Sequence, residues 1–325
     1  MQSLMNETNA NTEGSNTSAR IVDLSAPGVA KLIAKRVADD IDAYCERAYN
    51  DGHRKHLGAS LIGRDCKRYL WYVFRWAYAE RFDGRKLRLF NRGHREEDRF
   101  IEWLRGAGFK VWTHDESQPM KPDGTYPQFR VSGVNGHFGG SLDGIAQFPP
   151  EYGINEPILL EFKTNGTGKG FNDLLATGMP VAKPEHFAQT STYGADPNYK
   201  FRFVLYLNIN KNDDSLHVEL TALDWNLGEQ MKLKAEQVIT SQTPPPRLSE
   251  QPTYWKCKGC AMAGICHDQQ AAEVNCRSCK HAVPIENGQW LCTLPAHNDG
   301  RGAIPDEVIK VGCRSYEDIT LEMPV

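Results

Sequence analysis

Three features are missing from this sequence, and each absence excludes a class of protein. No apolar run approaches the roughly 20 residues that a membrane-spanning helix needs, and no secretory leader precedes the first apolar, helically spaced segment. No internal repeat marks a solenoid or propeller. These absences point to a cytoplasmic chain without a membrane partner. Excess charge of either sign is also missing: 38 Lys and Arg stand against 41 Asp and Glu, a net charge of -3. The chain as a whole therefore carries no electrostatic signature of a nucleic-acid binder. Its 325 residues, 40% hydrophobic and 24% charged, have room for one large domain with appendages.

The charge that is present is unevenly distributed. Between Gly63 and Arg95 ten Lys or Arg face three acids, and Tyr69, Trp71, Tyr72, Phe74, Trp76 and Tyr78 are interleaved among them. Basic residues mixed with aromatic ones suit a surface that neutralises phosphates and stacks bases. A helix with an aromatic core face and a solvated charged face would look the same.

Residues 1 to about 20 are rich in Asn, Thr, Ser and Glu and read as a disordered tail. A helix is expected next, capped by Ser25 with Pro27 in its first turn; Val29, Leu32, Ile33, Val37, Ile41 and Tyr44 recur at helical spacing. Cys45 reads as a plain core or helix-face thiol. Cys66 begins an aromatic helix that runs to about Tyr78. A further helix carries Arg92 to Leu104, with Phe100, Ile101 and Leu104 as its buried stripe. On it Glu97 is placed to point inward toward a metal, with Glu96 and His94 as alternatives. Strand character follows at Phe109–Trp112, Phe129–Val134, Gly140–Gln147 and Ile158–Phe162. After a Gly-rich loop at Asn165–Gly170 come a helix at Pro184–Gly194, strands at Phe203–Ile209 and Leu216–Leu223, and a helix at Leu227–Ile239. Pro244, Pro245 and Pro246 then form a stiff linker.

Two stretches carry the chemistry of a hydrolytic site. Asp143 ends a short apolar segment, and Glu161 and Lys163 stand two apart on the next one. Residues i and i+2 of a strand share a face, so Glu161 and Lys163 point one way while Phe162 turns into the core. Two converging carboxylates can hold Mg²⁺, and a Lys beside them can orient or deprotonate a bound water. Taken alone the pattern is short, and an ordinary buried strand ending in a salt-bridged pair would also produce it.

Nine cysteines are many for a reducing compartment, and seven of them crowd the last quarter, where clustered thiols read as metal ligands. Cys257, Cys260 and Cys266 form C-x2-C-x5-C, and the set needs a fourth ligand, with Cys66 or His267 available. By residue type zinc and an iron–sulfur cluster fit equally well. Cys276, Cys279, Cys292 and Cys313 form a second, zinc-ribbon-like set, with Gly288 and Gly312 supplying turns ahead of the last two. His281 and His297 are possible substitutes. Four protein ligands leave no open position, so this Zn²⁺ site would be structural.

With these residues in view, the chain resembles the RecB-like branch of the PD-(D/E)XK nuclease superfamily. It is most similar to the iron–sulfur exonucleases of the AddB, CRISPR-adaptation and phage types. Gly93-x3-Glu97 matches a helix motif that carries His in many relatives. Asp143 matches the second motif, Glu161-Phe162-Lys163 the E-x-K strand, and Gln189-x3-Tyr193 the Q-x3-Y helix. One Cys before the core and C-x2-C-x5-C after it match the family's 4Fe–4S arrangement, which implies Cys66, Cys257, Cys260 and Cys266 as ligands. The likeness spans roughly residues 57 to 268 and says nothing of the second thiol set.

The resemblance implies an α/β, restriction-endonuclease-like α+β core with a small mixed sheet flanked by helices. The nuclease domain would occupy 21–268, followed by a zinc-ribbon-like extension over 269–325. The implied activity is metal-dependent DNA exonuclease hydrolysis in phage or bacterial recombination, repair or DNA processing, in a bacterial cell or a phage-infected host. DNA would be the substrate, and a single-strand annealing or recombination protein a possible partner. Asp143, Glu161, Glu97 and the Phe162 carbonyl would hold Mg²⁺ or Mn²⁺, Lys163 would orient the water or stabilise the transition state, and Gln189 and Tyr193 would contact the substrate strand. The competing expectation is a DNA-binding or recruitment factor that uses the same scaffold and a zinc ribbon without hydrolysis.

Overall fold

The run Ile158–Phe162 has no polar alternation in its first three residues, which suits a strand covered on both faces. In the computed structural model, which describes residues 23–50, 52–297 and 302–321, this run lies at the centre of a five-stranded mixed sheet. The chain enters through α1 (Val29–Ala48), β1 (Leu57–Gly58), α2 (Lys67–Phe74) and α3 (Gly84–Gly106). Then follow β2 (Lys110–Trp112), β3 (Arg130–Gly133), β4 (Phe138–Ser141), β5 (Gly144–Gln147) and β6 (Ile158–Asn165). Three helices, α4 (Lys169–Thr177), α5 (Met179–Ala182) and α6 (Pro184–Gly194), cross to β7 (Phe203–Asn210) and β8 (Leu216–Ala222). The remainder is α7 (Trp225–Thr240), α8 (Ala263–His267), β9 (Ala282–Pro284), β10 (Trp290–Cys292) and α9 (Asp306–Val311).

The large sheet has the order β2-β5-β6-β7-β8. Only β6 and β7 are parallel, as expected of strands joined by a helical crossover; the other neighbours are antiparallel. Helix α3 covers one face, where Phe100 stacks on Phe162 with ring centroids 5.0 Å apart and Leu104, Ala146, Leu205 and Leu207 complete the layer. The opposite core contains Trp71, Leu159, Leu174, Tyr193, Tyr206 and Val238, drawn from α2, α4, α6, α7 and the sheet. A small mixed sheet between helices is thus the architecture, as the sequence led one to expect.

Several local expectations are corrected. Helix α1 starts at Val29 behind Gly28, whose φ of 82° breaks the helix, while Ser25 bonds back to Asp23 in a preceding turn. The apolar spacing along α1 is helical, yet Leu32, Ile33, Val37, Ile41 and Tyr44 are exposed, and the helix buries Cys45 instead. In α3, Ile101 is only half-buried, packed against Phe100 and Leu104, and Leu87, near the start of the helix, is a further buried position. The expected strand Gly140–Gln147 breaks at Leu142–Asp143: β4 joins a three-stranded sheet with β1 and β3, and β5 joins the large one. Trp71, Tyr72, Phe74 and Trp76 are buried together with Arg68 and Arg75, so these rings are core residues and not a base-stacking surface. The tail of residues 1–20 and the side chain of His297 lie outside the described residues.

The C-terminal segment shares the central core. Trp290 is buried in the same cluster as Leu159 and Tyr206, 5.2 Å from the Phe74 ring and 5.6 Å from His137. His137 Nε2 lies 2.7 Å from the Ile285 carbonyl, and the Glu273 amide donates to Ala77 O at 2.9 Å. Deleting this indole should therefore unsettle the whole domain. Trp290→Ala is expected to lower stability by about 3–5 kcal/mol, with one cooperative transition in chemical denaturation. Two resolved transitions, with only the weaker one shifted, would show the segment to be an independent unit.

Candidate active site

The site is assembled where the two sheets part. Because β5 runs antiparallel to β6 with Gly144 opposite Leu160, Asp143 in the kink before β5 comes to rest beside Glu161. The Phe162 amide donates to Asp143 Oδ2 at 2.6 Å and holds the carboxylate there. Glu161 is fully buried, and its Oε2 has no hydrogen-bond partner. Lys163, on the same face, forms an ion pair with Glu161 and donates to the Phe162 carbonyl at 3.2 Å. Phe162 itself points to the other face, under α3. The i, i+2 reading of the strand is realised.

Helix α6 closes the site from behind. Gln189 and Tyr193, one turn apart, are both buried. Gln189 lies close enough to Glu161 to pull its carboxyl pKa down against the effect of burial, and its Nε2 lies 3.4 Å from the Tyr193 hydroxyl. That hydroxyl rests against the backbone at Gly140, where any Cβ would collide with it. At Gly139, φ is 157° and a Cβ would strike the Val131 carbonyl. The glycine pair is thus a steric demand of the site. The one hydrogen bond between these two side chains runs from Gln189 to Tyr193.

On α3, the two adjacent acids divide. Glu96 is buried but neutralised by Arg92 at 3.5 Å and Arg99 at 2.6 Å. Glu97 is half-buried, near enough for its charge to act on Asp143 and Glu161, and it meets His94 Nδ1 at 3.3 Å. Of the three candidates Glu97 is the one facing the site.

Electrostatics follow from packing like charges in a dry place. Burial, and then the charge of Glu161, raise the Asp143 carboxyl to about 7. Burial also raises Glu161, against the opposing pull of Lys163. For Lys163 burial alone would lower the pKa, but Glu161 and Asp143 outweigh it and keep the ammonium firmly protonated.

Sequence reasoning missed a neighbouring chain of polar groups. His186 Nδ1 and Asn208 Nδ2 each lie 2.9 Å from the Tyr206 hydroxyl, with Tyr206 opposite Glu161 and Asn208 opposite Lys163 in the parallel register. Burial, and then Lys163 and Lys183, push His186 down to about 3, so it stays neutral. The available signal was Tyr206 and Asn208 two apart in an otherwise apolar strand.

The thiols gather in two places. Cys66 caps α2, its sulfur accepting from the Tyr69 amide at 3.4 Å. With Cys257, Cys260, Cys266 and His267 it lines a cavity of about 630 Å³ that also touches Pro184 and Glu185 at the start of α6. Cys276, Cys279, Cys292 and Cys313, with His281, line a second cavity of about 20 Å³. Turns at Gly288 and Gly312, both with φ of 70°, precede the last two thiols. Among the described residues, no group of three or more His, Cys, Asp or Glu lies close enough together to hold a metal ion as the side chains stand.

No protein-family model matches the chain, and no curated protein matches it. Among the solved structures that are similar are three at 15% identity. The crystal structure of SSO0001 has a TM-score of 0.40, covering 71% of this chain and 96% of that one. An alkaline exonuclease, LHK-Exo, from Laribacter hongkongensis has a TM-score of 0.38, and its complex with dAMP one of 0.40; each covers 61% of this chain and 89% of the other. Likenesses this weak leave the chemistry to be judged from the site itself.

The raised Asp143 carboxyl has a measurable consequence. A folded-state pKa above the unfolded value favours the folded state at low pH, and that contribution is lost as pH rises. In chelator, the stability of the protein should therefore fall between about pH 4 and pH 7, and Asp143→Asn should flatten this slope. An unchanged slope in the variant would assign it to other groups.

Proposed function

We propose that the protein is a divalent-metal-dependent nuclease that hydrolyses DNA, acting as an exonuclease. The observation that carries this reading is the enclosure of Asp143 and Glu161 side by side, with one Glu161 oxygen unpartnered and a fixed ammonium adjoining. A buried carboxylate and a half-buried one beside it destabilise each other, and a divalent cation between them removes that cost. The donor set is all oxygen, which suits Mg²⁺ or Mn²⁺. Asp143, Glu161 and Glu97 would hold the ion, with the Phe162 carbonyl as a further donor. When bound, such an ion lowers the pKa of water and offsets charge at a phosphodiester.

The chain's own groups supply the rest. Lys163, kept protonated by the two carboxylates, orients the attacking water and offers positive charge to the developing phosphorane. Gln189 and Tyr193 are positioning residues that fix Glu161. Glu161 in turn fixes Lys163, so one carboxylate and the cation are held on a single rigid strand.

Cys66, Cys257, Cys260 and Cys266 line one cavity and together are the thiolate complement of a 4Fe–4S cluster. Such a cluster would join the N-cap of α2 to the chain that follows the Pro linker, and would brace the start of α6. Its role would be structural. The biological setting is DNA processing in recombination or repair, in which a strand-annealing protein would be the natural partner.

Two measurements test the proposal. With Mg²⁺ or Mn²⁺ the purified protein should degrade end-labelled linear DNA and spare closed circles, and Asp143→Ala or Lys163→Ala should each slow degradation by about 10²–10³-fold or more. Undiminished degradation in both variants would overturn the assignment, and binding without any cleavage would make the protein a recruitment factor. Protein purified without air should be brown and carry iron, and Cys66→Ser should lose it. Colourless protein with zinc at this site would replace the cluster by an ion.

A further inference from the structure

Buried positive charge lies beside the second thiol set without a counter-ion. Arg75 follows α2, and Arg277 sits between Cys276 and Cys279; they are 0% and 1% exposed. Arg75 donates to the carbonyls of Ala282 at 2.8 Å, Ser241 at 3.2 Å and Arg277 at 3.4 Å, and to the Gln242 side chain at 3.3 Å. Arg277 donates to the carbonyls of Lys55 at 3.0 Å and Arg54 at 3.4 Å. Among the described residues neither is ion-paired with a carboxylate. Nε of both, and Nη2 of Arg277, are buried with no acceptor. The Arg277 guanidinium lies over the rings of Trp76, Phe74 and Trp290 at 4.3, 4.7 and 4.7 Å, which offsets part of its desolvation. Two uncompensated cations in one core remain expensive.

The adjacent cavity offers what is missing. At about 20 Å³ it has room for one particle the size of a water molecule. Its wall holds four thiols, and one of them, Cys279, is close enough for its charge to act on Arg75. Four thiolates around one divalent ion carry two net negative charges, which match two guanidiniums. We propose that Cys276, Cys279, Cys292 and Cys313 hold a single Zn²⁺ as a tetrathiolate, and that this dianion is the counter-charge of Arg75 and Arg277. Zinc is the divalent ion that soft tetrahedral sulfur sites select. Each Cys has one heavy-atom side-chain torsion, so the sulfurs close on the ion by rotamer changes, and four protons leave as it binds.

The consequence reaches beyond a local clip. Arg75 belongs to the nuclease-side core, Asn275 Nδ2 donates to the Trp76 carbonyl at 3.0 Å, and His137, bonded to Ile285 O, immediately precedes β4, the strand that leads to Asp143. Occupancy of the thiol site thus sets the electrostatic balance of the core that holds the candidate active site. This inference does not depend on the proposed nuclease activity.

The test uses the full chain, with zinc and iron counted separately. One zinc per chain is expected, retained in Cys66→Ser and lost, with a lower Tm, in the double variant Cys292→Ser/Cys313→Ser. Arg277→Met should weaken zinc retention against a chelator by about tenfold. It should also lower the Tm of zinc-loaded protein yet raise the Tm in the double thiol variant, where no dianion remains. If the double variant does not fold, zinc-stripped wild-type protein provides the same comparison. Absence of zinc from the Cys66→Ser protein would overturn the site. Equal destabilisation by Arg277→Met with and without zinc would overturn the charge pairing.

Discussion

Asp143 and Glu161 are like charges kept side by side with little water around them, and much of the surrounding structure exists to tolerate that arrangement. Lys163 supplies one compensating charge on the same strand face, and the Phe162 amide holds Asp143 from the backbone. Each partner sits on a regular element because only rigid elements keep unfavourable neighbours at fixed separation. The glycine pair before Asp143 follows from the same constraint, since Tyr193 must reach the backbone there to close the site.

A site that stores repulsion draws on stability from the rest of the fold. Here the reserve is a core that extends from the sheet through α2 to Trp290, so that the chain's last fifth belongs to the same hydrophobic cluster as its centre. The two thiol cavities flank this core at different points. The large one abuts the start of α6, which carries Gln189 and Tyr193; the small one lies beyond Arg75 and Trp290.

The buried arginines show why composition misleads. Between Gly63 and Arg95 the excess of basic and aromatic residues looked equally like a nucleic-acid surface and a helix face, and only burial separates the two. Trp71, Phe74 and Trp76 are enclosed with Arg68 and Arg75, so part of the apparent surface charge is interior charge. A guanidinium tolerates such a place better than an ammonium because its planar, weakly hydrated head can bond carbonyls and lie on rings.

The pattern along the chain was sufficient to identify the strand with Glu161 and Lys163, the helix at Pro184–Gly194, the latter part of the helix that begins at Gly84, and both thiol sets, because strand alternation, helical spacing and C-x2-C spacing are local. The choice between Glu96 and Glu97 was not legible, since it depends on Arg92 and Arg99 capturing the first. Nor was the break at Leu142–Asp143, because continuous strand propensity does not reveal that two sheets part there. The exposed face of α1 and the burial of Trp290 were equally hidden. Sequence alone determined which residues could do chemistry and on which local face each lies. Which of them share one enclosed space, and with what charge state, was decided only by the tertiary structure, because desolvation and charge coupling act between segments far apart in the chain.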